Sequence, residues 1–231
     1  MSEIMLDPRF QGPPTSANGG YICGVLASQL GGAVEVTLKR PPPLSKPLLL
    51  DVQSANVRLL DGEMLIAEGH KAPLVLGVPP AVSFEDALKA QGRYRGFEEH
   101  AYAHCFVCGP ARAPGDGLRI FAGPVAAGLV AAAWVPDDSL ADSAGNVRPE
   151  FIWSALDCPG YFAAMYEGPL RLAVLGRMHG EIVSGVKAGG RYVAMGWQIA
   201  SEGRKHITGT AVYSVDGVLC GRALGTWIEL R

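Results

Sequence analysis

Along residues 33–40 the chain reads AVEVTLKR, with Val34, Val36 and Leu38 alternating with Glu35, Thr37 and Lys39. That period of two predicts a strand with one face buried. The triple proline Pro41–Pro42–Pro43 ends it. Residues 48–54 and 55–60 read as further strands, and Asp61-Gly62 is a two-residue hairpin signal with 63–70 returning as partner. Ahead of these strands, 19–30 (GGYICGVLASQL) is apolar almost throughout. Ser16 or Asn18 caps it and Gly31-Gly32 ends it, so a helix buried on most sides is expected. The prolines at 79 and 80 break the pattern, and 83–91 (SFEDALKAQ) predicts a short helix with Ser83 as its N-cap.

A second run then repeats the plan. Residues 118–121 and 129–135 read as strands. An apolar helix over 149–165 follows, with Pro149 in its first turn. Strands are expected over 170–184, 191–200 and 206–214. Asp216-Gly217 is again a hairpin signal, with 218–230 as the return strand. Each half is therefore one buried helix followed by antiparallel strands, an α+β pattern, and the boundary falls near Phe97. The two units expected are 1–97, with the linker helix, and 98–231. Set over one another, 19–28 and 149–158 pair Tyr21 with Phe151, Ile22 with Ile152, Gly24 with Ser154, Val25 with Ala155 and Leu26 with Leu156; a rival register, Gly20-Tyr21 over Gly160-Tyr161, matches fewer positions.

Composition narrows the function. The 231 residues are 48% apolar and 18% charged, too apolar for disorder. Twenty Lys and Arg against 22 Asp and Glu leave a net charge of −2, which lacks the basic face of a nucleic-acid binder. No apolar run reaches the roughly 18 residues of a membrane span. The opening MSEIMLDPRF lacks the basic and apolar regions of a signal peptide. Five cysteines at irregular spacing read as reduced thiols, and a cytoplasmic location is expected. Thirty glycines and 17 prolines, without a collagen period, imply many turns between short elements.

Three segments carry a resemblance. Asn18-Gly19-Gly20-Tyr21 opens an apolar helix and is followed by Leu38-Lys39-Arg40-Pro41. Cys105-Phe106-Val107-Cys108-Gly109 is followed by Gly117-Leu118. Ala155-Leu156-Asp157 lies inside a helix. Together with the repeated helix-and-sheet plan they resemble the acyl-CoA thioesterases of the double (tandem) hotdog fold, in which each unit wraps an antiparallel sheet around a central helix. The resemblance implies hydrolysis of an acyl-CoA thioester. Glycines at a helix start supply N–H donors for the developing oxyanion, and an acid comes from the facing unit. It also implies that units pair, so an internal dimer and a homo-oligomer, such as a dimer of chains, are expected. No cofactor beyond the CoA of the substrate is implied.

Thioester hydrolysis needs a carboxylate to activate water or attack the carbonyl, and donors for the oxyanion. In the repeat alignment the first unit has Gly19-Gly20 but Ala27 at the acid position; the second has Asp157 but Pro149-Glu150 at the glycine positions. Pro149 has no N–H to give. One composite site per chain is expected, with Asp157 as the acid and Gly19 and Gly20 as donors. Asn18, Tyr21, Trp153, Phe162 and Gln198 are the candidate substrate-binding residues. The helper position of the family's last strand falls near Leu224, which cannot orient water.

Other readings stand beside this one. Asp157 precedes Cys158-Pro159 and is placed to cap a helix starting there. Asn18 is equally a cap. His100, His104, Cys105 and Cys108 form a metal-like cluster, but no second Cys/His pair of matching spacing follows, so no metal is expected. Arg40, Arg112 and Arg119 are candidates for CoA phosphates or plain surface charges. A non-catalytic acyl-CoA binding module is the first alternative function. A hotdog hydratase or dehydratase is the second; it would need His179 or His206 beside Asp157.

Overall fold

The computed structural model describes residues 1–230, in which eleven strands form one antiparallel sheet. The strands are β1 (Ser2–Met5), β2 (Val34–Leu38), β3 (Pro47–Val52), β4 (Asn56–Asp61), β5 (Met64–Lys71), β6 (Gly123–Ala126), β7 (Leu129–Trp134), β8 (Ala173–Ile182), β9 (Tyr192–Glu202), β10 (Lys205–Ser214) and β11 (Leu219–Glu229). Four helices accompany them: α1 (Gly19–Ala27), α2 (Phe84–Gln91), α3 (Pro149–Ala155) and α4 (Cys158–Ala164). Both hairpin signals form turns, with Gly62 at φ +59° and Gly217 at φ +79°. Those left-handed angles are why glycine follows the aspartate.

The sheet order is β1-β3-β4-β5-β2-β8-β11-β10-β9-β7-β6. Read outward from the β2–β8 seam, β5, β4, β3 and β1 on one side match β11, β10, β9 and β7 on the other. The seam is antiparallel, with Val34 opposite Gly180 and Thr37 opposite Arg177. Local geometry matches as well. The bridge Gln11–Ala17 precedes α1 as Ala141–Val147 precedes α3. Asn18 N–H donates to the Phe10 carbonyl as Arg148 N–H does to Leu140. Asn18 and Arg148 are the N-cap residues of their helices.

Helix α1 packs on α3 and on β2, β4, β5 and β8, so the sheet curls around a helix pair. A Cβ on Gly20 would lie 2.5 Å from Asp157 Cβ, and one on Gly24 would lie 2.6 Å from Glu150 Cα. Only glycine lets the two helices approach this closely. One core runs from Val34, Val36, Val57 and Leu59 through Ile22 and Leu26 to Phe151, Ile152, Ala194 and Val212.

Several expectations are corrected. The helix expected over 149–165 is two helices, broken at Leu156-Asp157. Pro159 has no N–H and its ring would crowd the Ala155 carbonyl, so the helix cannot run through. Residues 118–121 are not a strand: Leu118 N–H donates to Phe106 O and Ile120 N–H to Val107 O, so a loop takes the bonds a strand would offer. Strands β1 and β6 are short edge pieces without the alternation that announced the others. Helix α2, grouped by sequence with the first half, packs on β6, β7 and β9. Ala87 there joins Ala131, Val193, Met195 and Ala211 in a second cluster. This outer cover explains why β9 is apolar on both faces over Val193–Gly196 rather than alternating.

Candidate active site

Asp157 sits at the break between α3 and α4, 2% exposed. It occupies the N-cap position of α4, yet its side chain caps nothing there. Instead Oδ2 accepts from Asn18 Nδ2 at 2.7 Å and from the Gly20 backbone N–H at 3.0 Å, both at the start of α1. Oδ1 is buried without a partner. Burial raises the Asp157 carboxyl to about 7; the Gly20 N–H and the Asn18 amide pull against it, and charge on Cys105 adds to the rise.

Asn18 does two things at once. Its Oδ1 accepts from Tyr21 N–H at 2.9 Å, capping α1, while its amide holds the acid. Its Nδ2 also lies 3.8 Å from Cys105 Sγ. The Gly19 N–H, in the first turn of α1, has no protein acceptor among the described residues. The positive end of the α1 dipole lies there. Gly20 differs from expectation: its N–H is committed to Asp157 and is not free for an oxyanion.

These groups border a cavity of about 330 Å³. Asn18, Gly19 and Asp157 form its polar end. Leu38, Tyr161, Phe162, Leu175, Trp227 and Ile228 supply apolar walls, and Lys39 and Arg40 also line it. The remaining expectations divide. Phe162 lines the cavity. Trp153 is 2% exposed and packs against Gly24 and Gly180, away from the cavity. Tyr21 stacks on Phe10 at 4.3 Å and on Phe151 at 6.1 Å and does not line it. Gln198 is exposed on β9, its amide donating to Ser201 Oγ at 3.0 Å, so its assignment to the substrate site is corrected. β9 carries that position beyond the reach of the helix pair.

The last strand presents Trp227 and Ile228 to the cavity, not Leu224. Thr208 Oγ1 and Trp227 Nε1, both buried and unpartnered, face the backbone of Gly160. Neither was singled out from sequence, because nothing local distinguishes a buried strand Thr from its neighbours. Arg112 is 8% exposed and bonds the His104 carbonyl and Asp116, while Arg119 bonds the Arg112 carbonyl; both brace a loop. His179 bonds the Ala72 carbonyl and His206 bonds Glu229, and neither lines the cavity. The Asp/His pair of a hydratase is therefore not assembled from them.

The cavity wall also holds Cys105, Cys108, Cys158 and His100. The three cysteines are buried and free, with Cys105 and Cys158 sulfurs 3.8 Å apart. Bonds from the Cys108 and Cys158 thiols, then from backbone N–H groups of Cys108 and Val107, hold the Cys105 thiol well below its ordinary range despite burial. Cys158 was not grouped with the Cys-x-x-Cys pair in the sequence, since 50 residues separate it from Cys108.

No protein-family model and no curated protein matches the chain. Solved structures do. A TesB protein from Mycobacterium avium subsp. paratuberculosis is 14% identical, with a TM-score of 0.62, over 99% of this chain and 92% of that one. A protein assigned as a thioesterase II from Thermobifida fusca gives the same identity, score and coverage. A conserved protein of unknown function with a hot dog fold, from Alicyclobacillus acidocaldarius, is 10% identical at a TM-score of 0.61, with 99% and 92% covered. At such identities the likeness is one of fold, and it extends over nearly the whole chain: this protein has the hotdog fold.

Proposed function

We propose that the protein is a tandem hotdog thioesterase that hydrolyses an acyl-CoA, with one composite site between its two units. The observation that carries this reading is Asp157: a buried carboxylate from the second half, one oxygen held by Asn18 and Gly20 of the first, the other unpartnered, at the polar end of an apolar cavity. The mirrored strand order about β2–β8, and the likeness in fold to a protein assigned as a thioesterase, support it.

In this mechanism the acyl chain lies along Leu38, Phe162 and Leu175, with the thioester carbonyl toward Gly19. Asp157 Oδ1 takes a proton from a water that attacks the carbonyl carbon. The Gly19 N–H and the α1 dipole stabilise the oxyanion. Collapse of the tetrahedral intermediate breaks the C–S bond, and Asp157 returns the proton to the leaving thiolate. A carboxyl near 7 suits both transfers. Arg40, on the cavity lining, is the cation placed to meet the CoA phosphates. The site facing α3 is inactive, because Pro149 offers no N–H and Ala27 no acid. Pairing of two chains and a cytoplasmic location belong to the same reading.

One observation favours a second reading, a binding module without turnover. The Gly20 N–H is spent on Asp157, which leaves the oxyanion one donor fewer than expected. Thiol release from a panel of short, long and aryl acyl-CoAs separates the two. Turnover in the wild type that falls about 10²-fold or more in Asp157→Asn supports hydrolysis. Equal turnover in the two proteins ends the assignment of Asp157. No turnover on any ester, with acyl-CoAs still raising the Tm, establishes the binding module.

A further inference from the structure

We propose that Cys105, Cys108 and Cys158 form a zinc site that pins the 98–122 segment to the α3–α4 break, with His100 completing it by a movement of its ring. The three sulfurs all lie within 4.8 Å of one another, and all three residues are buried. Tetrahedral zinc with Zn–S near 2.3 Å sets its sulfurs roughly 3.8 Å apart. Cys105 and Cys158 sulfurs are 3.8 Å apart. His100 Nε2 lies 3.3 Å from Cys108 Sγ, but it is not within 4.8 Å of all three sulfurs, so its ring must shift toward Cys105 and Cys158 to ligate.

The backbone is built for the same purpose. Cys105 and Cys108 are the ends of a tight turn closed by Gly109 N–H to Cys105 O at 2.9 Å. A Cβ on Gly109 would lie 2.5 Å from Ala103 O and 2.6 Å from Cys105 N, so the turn admits only glycine after the second cysteine. Residues 98–122 hold no strand or helix, yet Phe106, Val107, Leu118 and Ile120 are buried. Backbone bonds and Arg112 and Arg119 already brace this segment, and a metal cross-link would add to them where the three thiols meet. The free thiols supply only weak hydrogen bonds for that task. Three soft thiolates whose sulfurs lie within 4.8 Å of one another select zinc over hard cations.

Binding balances simply. Three thiols release three protons, and the metal–ligand set carries a net charge of −1. The Tyr102 N–H donates to His100 Nδ1 at 3.0 Å, which leaves the ring proton on Nε2, toward Cys108. Zinc takes the place of that proton, the proton moves to Nδ1, and Tyr102 N–H turns from the ring. Because Cys158 adjoins Asp157, the site would fix the chain on which the acid stands.

The test is metal content of the tag-free full chain from zinc-supplemented medium, with cobalt(II) exchange as second readout. About one zinc per chain is expected in the wild type and in Cys220→Ser, and less than roughly a tenth of that in Cys108→Ser and Cys158→Ser. Cobalt should give intense tetrahedral d–d bands with thiolate charge transfer, and His100→Ala should shift those bands. Wild-type protein with under roughly a tenth of a zinc and no tetrahedral cobalt spectrum overturns the site, whether or not the cysteine variants fold. Iron in place of zinc, or a Cys105–Cys158 disulfide in the purified chain, overturns it too. An unchanged cobalt spectrum in His100→Ala removes His100 from the ligand set.

Discussion

A carboxylate with two donors on one oxygen and none on the other is poised rather than neutralised. The donors at Asp157 offset only part of its desolvation, and the carboxyl stays near 7 against about 3.9 in an unfolded chain. Between those values the folded chain holds a proton that the unfolded chain has released. Stability therefore falls as pH rises from about 4 to about 7, and the penalty is fully present above 7. The shift corresponds to on the order of 4 kcal/mol. Asp157→Asn cannot ionise, so it should unfold at higher urea than wild type at pH 8 and lose that advantage toward pH 4. A difference independent of pH would mean that Asp157 titrates normally. Under the proposed hydrolysis the same proton governs the rate: kcat should climb as pH passes about 7 and then level, since only the ionised carboxylate accepts a proton from water.

At the scale of elements, the crossing of α1 and α3 decides where Asp157 stands. Gly20 and Gly24 are one helical turn apart on the face of α1 that meets Asp157, Trp153 and Glu150. Adding a methyl at Gly24 presses on the Glu150 backbone and on Trp153 Cβ, 2.7 Å away. Gly24→Ala should therefore lower stability by about 1–3 kcal/mol even though alanine is the better helix former. Chemical denaturation read by far-ultraviolet circular dichroism measures this, and a stabilised variant would show that the helices are looser than this packing. The break at Leu156-Asp157, enforced by Pro159, leaves Asp157 between the two helices on the face that Glu150 and Trp153 present to α1, with its carboxylate at the start of that helix.

At the scale of the molecule, the β2–β8 seam and the α1–α3 crossing put residues from both halves into one core. A core shared in this way should melt as one unit. Denaturation followed by tryptophan fluorescence and by circular dichroism should give coincident transitions. The four tryptophans all lie in the second half, with Trp153 packed on Gly24 of α1, so an earlier loss of first-half structure would appear as a circular dichroism phase with only a small fluorescence change, from Trp153.

Much of this was legible one element at a time. The alternation at 33–40 specified β2, the Asp-Gly pairs specified the β4–β5 and β10–β11 hairpins, and the apolar run after Asn18-Gly19-Gly20 specified α1, because each depends on neighbours within a few residues. Asp157 could be singled out as the proposed acid because the repeat alignment left Ala27 in the equivalent place. Its partners could not be read so fully. That Gly20 N–H goes to the carboxylate, that Gln198 faces solvent and that Cys158 joins Cys105 and Cys108 all depend on contacts between residues far apart in the chain. Local pattern encodes which way a side chain points from its own element. Which group it meets is decided only when α1, the α3–α4 break and the 98–122 segment are brought to one cavity by packing.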